Sequence, residues 1–261
     1  MAIYQQPFWG YELDLPDSWV HQTIQDTEGF ASIPEALQPE YEGPNLGHLL
    51  IRGEWNCSLQ AIEPRWNQHL ARLAIMLGAK NLGSAQWRMA GAIGFEAEIM
   101  LPTKTKKRLW VGILGKNTTI LHFMVTHWME ERQWFEPLAT EVISSLRFVD
   151  RAARINTDET GLPIPPGYQP THPKTILPDI ADLKPWRAYQ GTASVGGLQA
   201  FYVREIPNHG WEVDEYVPYP SQVDLGFARL KLHKGNYQLT LGILPFGESP
   251  TTGVIVIKDE P

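Results

Sequence analysis

The stretch TTILHFMVTHWMEERQWFEPLATEVISSLRF, residues 118 to 148, changes its apolar rhythm half-way, and that change decides the fold of the first part of the chain. Leu121, Phe123 and Val125 stand two residues apart, the spacing that places side chains on one face of a β-strand. From Trp134 the interval becomes four. Trp134, Leu138, Val142 and Leu146, with Phe135 and Ala139 beside them, form the stripe of an amphipathic helix. Pro137 lacks the N–H that a helix interior needs, so it is expected in the first turn of a helix beginning near residue 134. A strand therefore runs into a core helix.

The join carries the most suggestive side chains of the chain. His127, Trp128, Glu130 and Glu131 are neighbours there, and His122 lies just upstream. Residues of unlike parity in an extended run face opposite ways, so His122 and His127 are expected on opposite faces and not on one metal ion. His127, Trp128, Glu130 and Glu131 are expected to make an exposed corner and an acidic first helical turn, which the helix dipole favours. They form the candidate interaction surface. A hydrolase using His127 with Glu130 or Glu131 is the chemical alternative.

Toward the N-terminus, FWGYELDLPDSW alternates Tyr11, Leu13 and Leu15 and turns at Pro16-Asp17, as a strand entering a hairpin does. Residues 26 to 46, with Pro34, Pro39 and Pro44, are expected as a long irregular loop, and GHLLIRGEW as a strand. Trp66, Leu70, Leu73 and Leu77 lie on one helical face, with Pro64 at the entry and Gly78 at the end. AIGFEAEIML and RLWVGILG are two more strands, joined by an exposed turn over Lys104 to Arg108.

Toward the C-terminus, residues 151 to 184 hold Pro163, Pro165, Pro166, Pro170, Pro173 and Pro178, which suit a semi-rigid spacer. Residues 1–150 and 185–261 are then two domains, and the fold class is α+β. The first is expected as an antiparallel sheet flanked by helices, the second as a small antiparallel sheet with one helix. In the second, WRAYQGTASV reads as a strand, and Leu198, Phe201, Tyr202 and Ile206 as a helical stripe. WEVDEYVPY is a further strand, FARLKLHKGNYQLTLGIL is a hairpin turning at Gly235-Asn236, and GVIVIKDE is the last strand.

Composition narrows the function. A formal charge of −7 opposes nonspecific contact with nucleic acid or anionic membrane. The single Cys57 excludes an intrachain disulfide and a multi-cysteine metal cage, and its setting suggests a small buried hydrophobe. The start MAIYQQPFWGYELDLPDSW has no basic n-region or apolar run, so a cytoplasmic location is expected unless the chain is trimmed. No phosphate loop, nucleophile elbow or dinucleotide fingerprint occurs, and Gly191, Gly196 and Gly197 suit a tight strand-to-helix turn. No catalytic residue, cofactor or metal is expected.

Three segments, YELDLPDSW, RLWVGILGKNTTILHFMV and WFEPLATEVISSLRF, together resemble the PsbP/Mog1-like superfamily over roughly residues 8 to 149. That resemblance implies a central antiparallel sheet flanked by helices and an accessory or protein-binding role without catalytic machinery. The start differs from that of exported members, which speaks against photosystem association. Phe201-Tyr202, Ile206-Pro207 and Gly210-Trp211, followed by a hairpin at Lys234-Gly235, resemble a small domain of bacterial lipoproteins and uncharacterised proteins. The lipobox cysteine of the lipoproteins is missing. The function expected is a soluble, non-enzymatic accessory protein with a protein partner. The alternative is a small-molecule binder using a tryptophan-rich groove between the sheet and residues 26–46, or between the domains.

Overall fold

The computed structural model describes residues 1–24, 26–102, 106–220, 226–247 and 252–260. It divides into two compact units, Met1–Gln5 with Tyr11–Phe148 and Gln6–Gly10 with Val149–Pro261. The chain leaves the first unit after Gln5 and returns to it at Tyr11.

The elements of the first unit, in chain order, are β1 (Ala2–Gln6), β2 (Tyr11–Leu15), β3 (Val20–Ile24), β4 (Thr27–Ala31), β5 (His48–Trp55), α1 (Ile62–Leu77), β6 (Lys80–Met89), β7 (Ala92–Met100), β8 (Lys107–Lys116), β9 (Thr119–Trp128), α2 (Arg132–Ser144) and β10 (Arg147–Phe148). Seven strands form an antiparallel sheet in the order β3-β4-β5-β9-β8-β7-β6, and β1-β2-β10 form a smaller sheet. Register follows the alternation. Phe30, Leu49, Val125 and Trp110 make one cross-strand row, and Leu50, Met124 and Val111 lie in the neighbouring row, whose side chains point to the opposite face.

On that opposite face α1 buries Trp66 among Ala97, Ile99, Val111 and Ile113, where it stacks on Phe95 with ring centroids 6.3 Å apart. The helix ends as its sequence directs, at Gly78 with φ +62°. On the first face α2 buries Phe135, Ala139, Val142 and Ile143, with Phe135 stacked on Trp19 at 5.6 Å. The helix is thus turned away from the stripe expected through Trp134, which is 39% exposed. It begins at Arg132, and Pro137 stands inside it. Gln133, whose carbonyl has no amide to meet at Pro137, is exposed, as is Pro137, so water can satisfy that carbonyl.

Other expectations change too. Residues 26 to 46 include β4 and a 3₁₀ turn at Pro34–Leu37, so the loop is shorter than predicted. An unpredicted strand, β6, forms one edge of the sheet; nearly all its side chains are exposed, which erases the two-residue apolar rhythm. The basic turn lies partly outside the described residues, since Lys104 and Thr105 are not among them. Lys107 and Arg108 begin β8, and both are ion-paired, to Glu42 and Glu98 respectively. Cys57, expected as a buried hydrophobe, is half-buried and follows the end of β5.

The second unit contains β11 (Asn156–Thr157), β12 (Pro163–Ile164), β13 (Gln169–Thr171), α3 (Pro173–Ile176), β14 (Trp186–Gln190), α4 (Val195–Asn208), β15 (Glu212–Val217), β16 (Ala228–Lys234), β17 (Tyr237–Pro245) and β18 (Gly253–Glu260). Its main sheet is antiparallel, in the order β13-β14-β18-β17-β16-β15. The stripe Leu198, Phe201, Tyr202 and Ile206 of α4 packs with Leu230, Leu232, Leu241 and Ile257. Gly235-Asn236 forms the hairpin turn, with Lys234 opposite Tyr237. Gly196 and Gly197 sit in the first turn of α4, whose Ser194 cap accepts the Gly197 amide.

The proline-rich residues 151–184, expected as a spacer, carry three short strands and put Leu162, Ile164 and Tyr168 into this core. The prolines are accommodated because β12 is one strand of an isolated pair and β13 is a sheet edge, where a missing donor costs little.

Residues 6 to 10 complete the second unit. Phe8 lies 6.2 Å from the Phe201 ring and 6.4 Å from Tyr168. The Arg204 guanidinium donates to the carbonyls of Phe8, at 3.2 Å, and of Pro7. Gly10 has φ +67°, and a side chain there would also strike Arg204. Phe8→Ala should therefore destabilise the second unit by about 2–3 kcal/mol, somewhat below a fully buried phenylalanine because Phe8 is half-buried. Hydrogen exchange resolved by segment checks this, with faster exchange expected in α4 and unchanged exchange in β8 and β9.

Candidate functional site

The part of the first face that carries β6, β7 and β8 extends past the edge of α2. Cross-strand register sets what stands there. Glu96 lies between Ala85 and Gly112, Trp87 opposite Gly94, and Trp110 between Glu98 and Val125. The small residues leave room for both indoles over the sheet. A Cβ on Gly112 would come within 2.7 Å of the Trp87 ring and 2.8 Å of the Trp110 ring. The two indoles meet at 82° with centroids 5.4 Å apart, and Trp87 also meets Phe123 edge-on at 5.1 Å. Between these rings and α2 runs a groove of about 320 Å³, lined among others by Glu96, Arg108, His127, Arg132, Glu136 and Thr140.

Its charges are mostly paired. Arg108 is bound to Glu98, and Arg132 donates to Glu136 at 3.0 Å, one helical turn on. His127 Nδ1 donates to the Trp128 carbonyl at 2.7 Å, and its Nε2 faces Glu136 at 3.2 Å. Glu96 accepts from the Trp110 indole N–H at 3.2 Å and has no cationic partner among the described residues.

The four residues singled out from the sequence separate here. His127 is 3% exposed rather than a surface corner, because its strand continues under α2. Glu131, also expected in the exposed turn, is buried at 5% and accepts from the amides of Leu46, Gly47 and Trp128 at 2.9, 3.1 and 3.2 Å. The Trp128 indole donates to the Gly43 carbonyl at 2.9 Å, with the Lys107 ammonium 5.0 Å from its ring. Glu130 is exposed. The carboxylate on the His127 imidazole is that of Glu136. Sequence reasoning missed Glu136, Glu96 and the Trp87–Trp110 pair, since strand register rather than proximity in sequence brings them together.

His122 projects from the opposite face, as its parity requires. Its Nε2 donates to Glu54 at 2.7 Å, and its ring lies 5.6 Å from that of His69. Glu54 also binds Arg65. The carboxylate favours a charged imidazole, but Glu54 is already shared with a guanidinium. Burial, then the charges of Arg52, Arg65 and Arg72, push His122 down to about 4. Burial, then His122, Arg52 and Arg72, take His69 to about 4 as well. Among the described residues no group of three or more His, Cys, Asp or Glu is placed to hold a metal ion, and no helix is long and apolar enough to cross a membrane.

No family model and no curated protein matches the chain. Among solved structures it is similar to cyanobacterial PsbP (CyanoP) from Synechocystis sp. PCC 6803, at 11% identity and a TM-score of 0.44, over 56% of this chain and 91% of that one. LpqN of Mycobacterium tuberculosis, described as involved in cell envelope biogenesis, is similar at 10% identity and a TM-score of 0.40, over 53% of this chain and 83% of that one. A Bacteroides thetaiotaomicron structure is similar at 11% identity and a TM-score of 0.41, over 95% of this chain and 89% of that one. At this level of likeness the side chains of the groove must carry any functional reading themselves.

Two outcomes are expected. Gly112→Ala should displace the indoles and cost about 1–3 kcal/mol by overpacking, seen as a changed tryptophan emission and a lower urea midpoint. The His122 pKa is about 4 in the fold against 6.5 unfolded, so the unfolded chain binds more protons between those values. Stability is then complete above about pH 6.5 and falls on acidification toward pH 4, by on the order of 3 kcal/mol for His122. Urea midpoints across that range should fall less steeply with acidification for His122→Gln than for the parent.

Proposed function

We propose that the chain is a non-enzymatic binding protein whose first unit receives a small organic ligand in the groove beside α2. The observation carrying this is the groove itself, about 320 Å³ in volume, with two indoles as apolar walls and a few polar groups aimed inward. It runs along α2 and not beside residues 26 to 46. Its polar groups suit holding and orienting. The His127 imidazole is fixed between a backbone carbonyl and Glu136, and Glu131 is occupied by three amides.

A second reading, docking of a protein partner, is favoured by another feature. Ile75, Met76 and Leu77 at the end of α1 are 84%, 79% and 44% exposed, and Leu82 at the start of β6 is 58% exposed. Affinity purification with the parent chain and with an Ile75→Lys, Met76→Lys variant addresses it, the partner being expected with the parent alone.

For the groove, the test is a metabolite panel read by thermal shift and by the indole N–H resonances of Trp87 and Trp110. A ligand at about 100 times its Kd should stabilise the fold by about 2.7 kcal/mol. Thr140→Trp, which fills the groove from an exposed helix position, should abolish that gain without lowering the melting temperature of the free protein. A panel that moves neither readout would remove the proposal.

A further inference from the structure

We propose that the groove selects an organic cation, a methylated ammonium, through the Trp87 and Trp110 indoles and the Glu96 carboxylate; this rests on the groove being a ligand site. The charge pattern points to it first. Arg108 is taken by Glu98, and Arg132 by Glu136, whose other oxygen faces His127. Glu96 is left over. Its neighbours across both ladders are Ala85 and Gly112, which can neither neutralise it nor crowd it.

The geometry then names the kind of cation. The bond from the Trp110 indole N–H, at 3.2 Å, holds the Glu96 carboxylate against the rim of that ring. A cation resting on the Trp110 face thus meets a full negative charge at the ring edge, and Trp87, at 82°, offers a second face. Indole faces attract cations through their quadrupole. A primary ammonium would need several acceptors to replace its water, and of the groove carboxylates Glu98 and Glu136 are already on guanidiniums, which leaves Glu96. A methylated ammonium is weakly hydrated, presents methyl groups to both rings and asks only for charge. A neutral ligand leaves Glu96 uncompensated, and an anion is repelled by it.

The test compares choline with 3,3-dimethylbutan-1-ol, its neutral isostere, on the full chain labelled with nitrogen-15. Choline should shift the Trp87 and Trp110 indole signals to saturation, with a Kd on the order of ten-fold below that of the alcohol. Glu96→Gln should erase the preference. The proposal is overturned if the alcohol binds as tightly as choline, if the preference survives Glu96→Gln, or if choline does not saturate these signals. The comparison within the parent chain decides the matter even if the variant does not fold. Should the alcohol or benzoate saturate the same indole signals where choline fails, the cation falls and the groove stands. Indole signals unmoved by these probes and by the metabolite panel would end both.

Discussion

Strands in a sheet lie about 4.8 Å apart, so the seven of the first unit span about 30 Å, whereas a helix with its side chains is only about 10–12 Å across. No single helix can cover such a face. On the α2 side, β1 reaches over the β3–β4 end, where Tyr4 meets Phe30 edge-on at 4.9 Å, and α2 packs against β9. The strands β6, β7 and β8 are left over. An uncovered sheet face cannot be apolar without becoming sticky, so these rows carry Glu96, Glu98 and Arg108, with tryptophans among them. The groove exists where the helix runs out. The other face has the same shortfall, and there Arg52 on β5 stands exposed beside His122 of β9, which α1 reaches through His69.

Seating two indoles here constrains the backbone beneath them. Two tryptophans fit side by side only where the rows about them are nearly empty: a Cβ on Gly112 would meet both rings, and Ala85 flanks the same row. The same small residues leave Glu96 without a lateral partner. In a partly desolvated cleft a lone carboxylate exerts a stronger field than in open water, because less solvent screens it. Packing and electrostatics here have one cause, the small residues of two neighbouring strands.

Much of the fold was legible. Parity placed His122 and His127 on opposite faces, four-step spacing found α1 and the α4 stripe, and Gly235-Asn236 marked its hairpin. Phe201, Tyr202, Ile206 and Trp211, which carry the C-terminal resemblance, are all core residues. Illegible features share a physical reason, in that their partners are remote in sequence. The strand β6 pairs at a solvent edge and shows no rhythm, so Trp87 could not be assigned a face. Residues 6 to 10 pack on Phe201 and Arg204, nearly two hundred positions away. Prolines at 163 and 170 read as spacer because edge pairing, which tolerates them, is decided by distant strands.

The corner at residues 127 to 131 shows how neighbours in sequence divide their tasks. Glu131 sits where three amides converge, two from the loop at Leu46 and Gly47 and one from Trp128, so its charge is spent on holding backbone together. Trp128 adds a second tie to the same loop through Gly43. With Glu130 in solvent, only His127 remains to face the groove, and it does so against Glu136 from the first turns of α2. A residue nine positions on, across the strand-to-helix bend, completes what the adjacent acids could not. The bend that made this stretch look like an active site is what removes those acids from the imidazole and sets the ring between the Trp128 carbonyl and the Glu136 carboxylate.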